Sequence, residues 1–124
     1  MPEPSSAPRL REIPRHGEIW MVDFGEPVGH EQGYRRPALV VSADRFNATR
    51  AELVIVVPLT RTRRGLPSHV EIKPGVSGLA DPSYAKAEDI KSVSTRRLVH
   101  RLGIVDTAEM RQISRVLAWL LELS

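Results

Sequence analysis

The segment Leu53–Leu59 is the most apolar stretch of the chain, and it constrains the fold more than any other feature. It is short, rich in valine, and followed directly by Thr60 and a group of arginines. A continuous apolar run of this length is typical of a strand that is buried on both faces. We therefore predict that Leu53–Leu59 is the innermost strand of a sheet.

Other short strands surround this segment in the sequence, separated by glycine and proline. The first combines aromatic and β-branched residues, with Ile19 and Met21 on one face and Trp20, Val22 and Phe24 on the other, so we expect a central strand. Apolar or alternating patterns predict the remaining strands. Those strands are predicted at Ala38–Val41, Pro67–Ile72, Tyr84–Ile90 and Leu98–Val105, with a helical turn in Ser42–Arg50.

An amphipathic helix is predicted at the end of the chain. Asp106 and Glu109 have the spacing of a capping box at its start. The apolar residues that recur at helical spacing are expected to pack on the sheet, whereas Trp119 lies off that stripe and is available to a partner subunit. The stripe consists of Met110, Ile113, Leu117, Leu120 and Leu121. Short strands followed by one helix predict a mainly β fold, a small and strongly bent sheet or barrel.

Length and composition limit the class of protein. With 124 residues, one domain is expected. Residues 1–15 are rich in proline and have no apolar periodicity, so they are predicted to be a disordered leader before a domain at residues 16–124. No apolar run approaches the roughly 20 residues of a membrane span. The chain has no cysteine, which rules out disulfides and fits a reducing cytoplasm.

The sequence predicts no metal site and no other cofactor. The histidines His16, His30, His69 and His100 are far apart and lack the spacing of helical metal ligands. No glycine-rich phosphate loop precedes a helix, and no serine stands in a nucleophile-elbow motif. Chemistry based on a bound metal, a nucleotide cofactor or a serine triad is therefore not indicated.

Cationic side chains stand at the ends of two predicted neighbouring strands. Arg35 and Arg36 enter the second strand, and Pro37 keeps Arg36 out of helical angles at the point where a loop meets a rigid sheet. A guanidinium held in this way loses less entropy on binding an anion. Thr60 and three arginines leave the third strand: Arg61, Arg63 and Arg64.

If these two strands pair antiparallel, the end of one lies beside the start of the other, and both basic clusters share one rim. With Tyr34 available to stack on a base, such a rim suits a single-stranded nucleic acid. Of 18 basic residues 15 are arginine, which forms forked contacts with phosphate, although the base composition of a genome gives the same bias.

At this point the sequence resembles a known family, the MazF/PemK toxins. Three blocks carry the resemblance, in the same order and at fitting distances. In the first block the matching residues are Gly17, Glu18, Ile19, Trp20, Asp23, Phe24, Pro27, Gly29, Glu31, Gln32, Gly33, Arg36 and Pro37. In the second block they are Pro58, Leu59, Thr60 and Leu66–Ile72. In the third block they are Ala87–Lys91, Arg97 and Leu98.

The resemblance implies a small SH3-like barrel of the MazF/CcdB type with a C-terminal helix. It implies a homodimeric toxin of a type II toxin–antitoxin system that cleaves single-stranded RNA, often messenger RNA, without a metal. The products would carry 2′,3′-cyclic phosphate and 5′-hydroxyl ends. A cognate antitoxin would lay an acidic, initially disordered tail over the RNA groove.

By position, the family's catalytic arginine and threonine correspond to Arg36 and Thr60. The resemblance and the basic rim together make Tyr34, Arg35, Arg61, Arg63, Arg64 and Asp89 candidates for RNA binding. Two positions depart from the family pattern: His30 stands where a small hydroxyl residue is common, and Asp89 where glutamine is common. Both belong to the expected groove, where base preference and proton handling are decided.

The identity of the general base stays open at this stage. Arg36 is a poor base, because holding it neutral at pH 7 from a pKa near 12.5 costs roughly 7 kcal/mol or more. His30 has the right intrinsic pKa, and Glu31 and His69 are the other candidates, although Glu31 could instead hold an arginine in place. The alternative functions are a non-catalytic toxin of the same fold that binds a protein such as DNA gyrase, and a regulatory nucleic-acid-binding domain.

Overall fold

The computed structural model describes residues 12–25 and 35–123. Within these ranges, seven strands come before a long C-terminal helix, with one short helical turn between β2 and β3. The strands are β1 (Glu18–Asp23), β2 (Arg35–Val40), β3 (Leu53–Thr60), β4 (His69–Ile72), β5 (Ser83–Lys86), β6 (Lys91–Ser94) and β7 (Leu98–Ile104), and the helices are α1 (Asp44–Asn47) and α2 (Thr107–Leu121).

The strands form one antiparallel sheet in the order β4-β5-β3-β2-β1-β7. β3 is the strand with the most partners: it pairs with β2 along one edge, and along the other with β6 over its first half and β5 over its last two residues. The prediction that Leu53–Leu59 is innermost is therefore confirmed. Among the described residues no ladder joins β4 to β7, so the sheet is barrel-like without being closed.

Two apolar clusters pack on opposite faces of the sheet. Ile19 belongs to the cluster that lies under α2, and Trp20 and Val22 belong to the other, against which Phe24 packs. This division follows the alternation of side chains along β1, which lies between β2 and β7. The prediction of a central first strand with two apolar faces is confirmed.

The predicted capping box of α2 is present. The Glu109 amide donates to Asp106 Oδ1 at 2.7 Å, and the Asp106 amide donates to Glu109 Oε1 at 3.0 Å. Glu109 is buried, and its Oε2 accepts from the Lys73 amide at 2.9 Å, which ties the helix to the end of β4. Ile113 is fully buried, whereas Trp119 is 61% exposed. Leu121, predicted to pack on the sheet, is 48% exposed, because it lies at the last residue of the helix.

The sequence analysis predicted one strand too long and missed another. The strand predicted at Tyr84–Ile90 ends at Lys86, and a 3-10 turn over Ala87–Asp89 follows it. This turn brings Glu88 to hydrogen-bond distance from side chains at the start of β4, which an extended strand would not do. No sequence pattern predicts β6, because that strand is short and polar and buries only Val93.

The end of the predicted leader contacts the domain. The Pro14 carbonyl accepts from Asn47 Nδ2 at 3.0 Å, and the Arg15 guanidinium lies 3.0 Å from Asp44 Oδ2. Residues 1–11 of that leader lie outside the described part of the chain. Neither described helix is both long and apolar enough to cross a membrane.

Candidate active site

A groove of about 600 Å³ opens where β2 begins and β3 ends. Three segments supply most of its lining, and single residues of β1, β5 and β7 complete it. The segments are Arg35–Pro37, Leu59–Thr62 and Gly78–Asp81, and the single residues are Met21, Ser83 and Leu102. The groove therefore contains both positions at which the sequence predicted catalytic side chains, Arg36 and Thr60.

Strand register explains why Arg36 and Thr60 share this groove. β2 and β3 pair antiparallel, with Ala38 opposite Pro58, Leu39 opposite Val57 and Val40 opposite Val56. Arg36 lies two residues before Ala38 and Thr60 two residues after Pro58, so both follow from the same end of this ladder. Opposite residues of an antiparallel pair project from the same face. The antiparallel pairing that a shared basic rim requires is therefore present.

Thr60 is the last residue of β3, and its hydroxyl is oriented by its own backbone. The Thr62 amide donates to Thr60 Oγ1 at 3.1 Å, a local turn of the type that serine and threonine favour. Because a hydroxyl can accept and donate at once, this contact leaves the Thr60 hydrogen directed elsewhere, and no described residue accepts it. Thr60 is half-buried and faces the groove.

Arg36 lies within β2, opposite Val22 of β1. The prediction had placed it in a loop that enters the strand; in the structure the strand already begins at Arg35, because β1 extends far enough to pair with both arginines. Arg36 is half-buried, and no carboxylate of residues 12–25 or 35–123 forms an ion pair with it. Its charge therefore faces the groove without compensation from this part of the chain.

The other charged groups that described residues bring to the groove are two arginines and one carboxylate. Arg35 is exposed at the start of β2, and Arg61 Nη1 lies 3.3 Å from Asp81 Oδ2. Sequence reasoning missed Asp81, because the loop that carries it follows β4, away from both basic clusters in the sequence. Only the packing of that loop against β7 brings it to the groove.

His69 does not line the groove. Its side chain is 3% exposed, and its Nε2 donates to Glu88 Oε2 at 2.9 Å. Ser68 Oγ donates to the other oxygen of Glu88 at 2.6 Å. Burial raises the pKa of Glu88, but the hydrogen bonds from Ser68 and His69 outweigh it and hold the pKa below its usual value of 4.5. His69 Nδ1 is buried and has no partner among the described residues.

The remaining predicted residues are distributed around the groove or beyond it. Asp89 forms an ion pair with Lys86 at 2.8 Å and does not line the groove. Arg63 and Arg64 are exposed in the loop that follows Thr60, and they do not line it either. The predicted residues His30, Glu31 and Tyr34 lie outside the described residues.

In residues 12–25 and 35–123, no three side chains of histidine, aspartate or glutamate are grouped so that they could hold a metal ion. The chain contains no cysteine that could add a ligand. Among the described residues, the charged groups that line the groove are thus those of Arg35, Arg36, Arg61 and Asp81.

Comparison with known proteins identifies one family. Residues 15–121 match the family described as PemK-like, MazF-like toxin of type II toxin–antitoxin system. The chain is 40% identical over 114 residues to the protein named Endoribonuclease MazF9 of Mycobacterium tuberculosis, a match that covers 88% of this chain and 97% of the relative.

Solved structures give the same result. A chain of the MazE–MazF crystal structure from Deinococcus radiodurans is similar with a TM-score of 0.77 and 28% identity, covering 92% of this chain and 100% of that one. An endoribonuclease in complex with its cognate antitoxin from a mycobacterial species is similar with a TM-score of 0.72 and 31% identity, covering 90% of this chain and 97% of that one. The prediction of a mainly β fold of the MazF type with a C-terminal helix is confirmed.

Proposed function

Because this chain belongs to the PemK-like, MazF-like family of toxin endoribonucleases, we propose that it cleaves single-stranded RNA at a phosphate held between Arg36 and Thr60. The observation that carries the proposal is the groove that both residues line. The comparisons are with proteins named endoribonucleases, and they do not favour the alternative of a toxin that binds gyrase without catalysis.

The reaction is an attack within the substrate. The 2′-oxygen bonds to the adjacent phosphorus, the bond from phosphorus to the 5′-oxygen breaks, and a 2′,3′-cyclic phosphate and a 5′-hydroxyl result. The 2′-hydroxyl proton passes to a base, and the departing 5′-oxygen receives a proton. No oxidant, cofactor or second substrate enters the balance.

Arg36 supplies positive charge to the phosphorane. Negative charge accumulates on the non-bridging oxygens as the fifth bond forms, and a preorganised cation stabilises that state more than the ground state. No carboxylate of the described residues competes for Arg36, and its position within β2 limits its motion. Arg36 enters the reaction protonated and can donate a proton to the leaving oxygen, after which it takes one up again from solvent.

Thr60 donates a hydrogen bond to a non-bridging phosphate oxygen. The contact from the Thr62 amide fixes one lone pair of the hydroxyl and leaves its hydrogen for the substrate. A hydroxyl with a fixed orientation loses little entropy when the phosphate arrives. Thr60 thus acts on the same oxygens as Arg36.

The general base is proposed to come from the segment before Arg35, where His30 and Glu31 are the candidates. His69 is the third predicted candidate, but its imidazole is buried, donates to Glu88 and does not line the groove. A proton acceptor must come within hydrogen-bond reach of the 2′-hydroxyl, directly or through one water. We therefore assign His69 to the support of the turn at Ala87–Asp89.

Substrate binding uses the arginines around the groove. Arg35 and Arg61 lie in its lining, and the exposed Arg63 and Arg64 extend the positive charge along the loop after β3. Tyr34 is proposed to stack on a base. Asp89 is proposed to contact RNA at the edge of this surface, with Lys86 as its ion-pair partner.

A cognate antitoxin is the proposed protein partner. The similar structures from Deinococcus radiodurans and from a mycobacterial species each contain an antitoxin. We propose that an acidic, initially disordered tail of the antitoxin competes with RNA for the arginines of the groove. The toxin itself is proposed to be a homodimer, with the exposed Trp119 of α2 as a candidate contact residue.

Incubation of the purified chain with a long single-stranded RNA tests this function. We expect cleavage at defined sites in the presence of EDTA, with 5′ ends that a kinase labels without prior phosphatase treatment, because those ends carry a hydroxyl. The Arg36→Ala variant is the control for contaminating ribonucleases. RNA that shifts in a gel without products would instead indicate a binding domain.

A further inference from the structure

An aspartate lies in the wall of the groove that holds Arg36 and Thr60. Among the described residues that line the groove, Asp81 carries the only carboxylate, and the sequence patterns gave no role to it. A carboxylate repels the phosphates that the arginines attract. Its presence therefore weakens backbone binding unless it meets hydrogen-bond donors of the substrate.

A purely structural role does not account for Asp81. Its ion pair with Arg61 joins one oxygen to one nitrogen at 3.3 Å, and the two side chains are 58% and 79% exposed. Exposed pairs of this kind contribute little to folding. The pair between Glu52 and Arg96, at 3.8 Å and with 63% and 80% exposure, is of the same kind, but neither of its residues lines the groove.

The loop that carries Asp81 is held in place next to its sharpest turn. Ser77 is buried, and its hydroxyl donates to the Lys73 carbonyl at 2.7 Å. Gly78 has a φ of +76°, and a Cβ there would lie 2.0 Å from the Leu102 carbonyl oxygen, so the loop lies directly on β7. Ser83 Oγ then donates to the Asp81 carbonyl at 3.3 Å. Asp81 is thus presented to the groove from an anchored backbone.

Resting on the proposed function, we infer that Asp81 is a specificity residue that binds the Watson–Crick edge of a guanine beside the scissile phosphate. An ionised carboxylate only accepts hydrogen bonds and has about four acceptor sites. Arg61 uses one site, on Oδ2, and no described residue uses Oδ1. Guanine presents two adjacent donors, N1–H and the N2 amino group, that match the two oxygens. Single-stranded RNA leaves this edge free to be bound in this way.

Mapping of cleavage sites with Asp81→Asn tests the inference. Asparagine has nearly the same shape, but it replaces one acceptor with an amino group that faces the guanine donors. A good bidentate contact to a base changes preference by about five- to a hundredfold. We expect the wild type to prefer guanine at one position next to the cut, and Asp81→Asn to lose that preference by a factor in this range. Glu52→Gln, which makes the same change in the matched pair outside the groove, should keep the wild-type profile.

Inosine gives an independent measurement, because it keeps N1–H and lacks the N2 amino group. In an oligonucleotide with inosine at the mapped position, wild-type cleavage should slow, whereas Asp81→Asn should cut the guanine and inosine substrates at similar rates. Thermal melting of each variant shows that it is folded.

The outcomes separate the inference from the proposed function. RNA that stays intact with the wild type overturns both. Cleavage by the wild type with the same site profile in Asp81→Asn overturns the inference alone. A uniform gain in rate or affinity of Asp81→Asn on all sequences also overturns the inference, because it would mean that Asp81 only reduces the positive charge of the groove. Loss of a preference for a base other than guanine overturns it as well.

Discussion

Arg36 and Thr60 belong to neighbouring antiparallel strands, each two residues beyond the pair Ala38–Pro58 that ends their ladder, and both line one groove. Both side chains are attached to the sheet rather than to a loop. A site on strands holds its groups within a narrower range of positions than a site on loops. Variants at these two residues should therefore report on chemistry with little effect on folding.

Replacement of Arg36 tests whether its positive charge stabilises the phosphorane. We expect Arg36→Ala to lower the cleavage rate by at least about a hundredfold, as the loss of one preorganised charge-stabilising group does in other enzymes. Arg36→Lys should recover only a small part, because an ammonium lacks the forked donors. Single-turnover cleavage of a short RNA measures the rate, and exposed Arg45 of α1, changed to alanine, is the control. A rate near that of the wild type in Arg36→Ala would refute the assignment.

The hydroxyl of Thr60 is tested by an isosteric pair of changes. Thr60→Val removes the donor and should slow cleavage by about a hundredfold, whereas Thr60→Ser keeps the hydroxyl and should stay near the wild type. The lost acceptor for the Thr62 amide has little effect on folding, because Thr62 is exposed and its amide can reach water. Equal rates for the valine and serine variants would exclude a hydroxyl contribution.

Salt dependence tests the arginines of the β3–β4 loop. Arg61→Ala, Arg63→Ala and Arg64→Ala should each reduce the slope of log affinity against log salt by about 0.7, the value for one phosphate contact on a single strand. Binding should be measured with uncleavable RNA that lacks the reacting 2′-hydroxyl. Arg111→Ala, an exposed residue of α2, should leave the slope unchanged. An arginine whose removal also leaves the slope unchanged does not contact an RNA phosphate.

The acid stability of the fold depends on Glu88. Its pKa is lowered in the folded state, so its contribution is fully present above the unfolded value of 4.5 and is lost as the pH falls through the lower folded value. We expect Glu88→Gln to be less stable than the wild type at pH 7. This difference should shrink as the pH drops below about 4.5. Melting temperatures across this range measure it, and a difference that does not change with pH would contradict the linkage.

The contact between Gly78 and β7 is tested by two alanine substitutions. Gly78→Ala combines an unfavourable φ of +76° with a Cβ placed 2.0 Å from a backbone oxygen, so the loop must move. We expect a loss of roughly 3 kcal/mol in the free energy of unfolding. Gly65, with a φ of +65° and open space around it, is the matched control. Its alanine variant should lose about 1 kcal/mol, the cost of the left-handed conformation alone. Equal losses in the two variants would show that the loop at Gly78 can move away from β7 without further loss of stability.

Much of the fold was accessible from local patterns. β1, β3 and α2 follow from alternation, from a continuous apolar run and from helical spacing, and each of these signals lies within the element itself. β6 was missed because its residues are polar and its existence depends on pairing with β3. The turn at Ala87–Asp89 depends on Glu88 reaching Ser68 and His69, which no local pattern encodes.

The same distinction applies to the groove. The sequence could predict that Arg36 and Thr60 lie near each other, because in neighbouring antiparallel strands the start of one lies beside the end of the other. Asp81 could not, because it arrives from a loop whose position depends on the close approach of Gly78 to Leu102. His69 belongs to a block that resembles the family, but its buried imidazole donates to Glu88 and does not line the groove.

Ser77 and Gly78 anchor the loop before Asp81, and the Ser83 hydroxyl holds the Asp81 carbonyl after it. Leu79 still packs against the core, but Ala80, Asp81 and Pro82 are exposed and carry none of the sheet pairing. Evolution can therefore replace these three residues without disturbing the architecture beneath them. A gene duplicate could acquire a new target sequence through this short stretch while it keeps the phosphate chemistry of its ancestor.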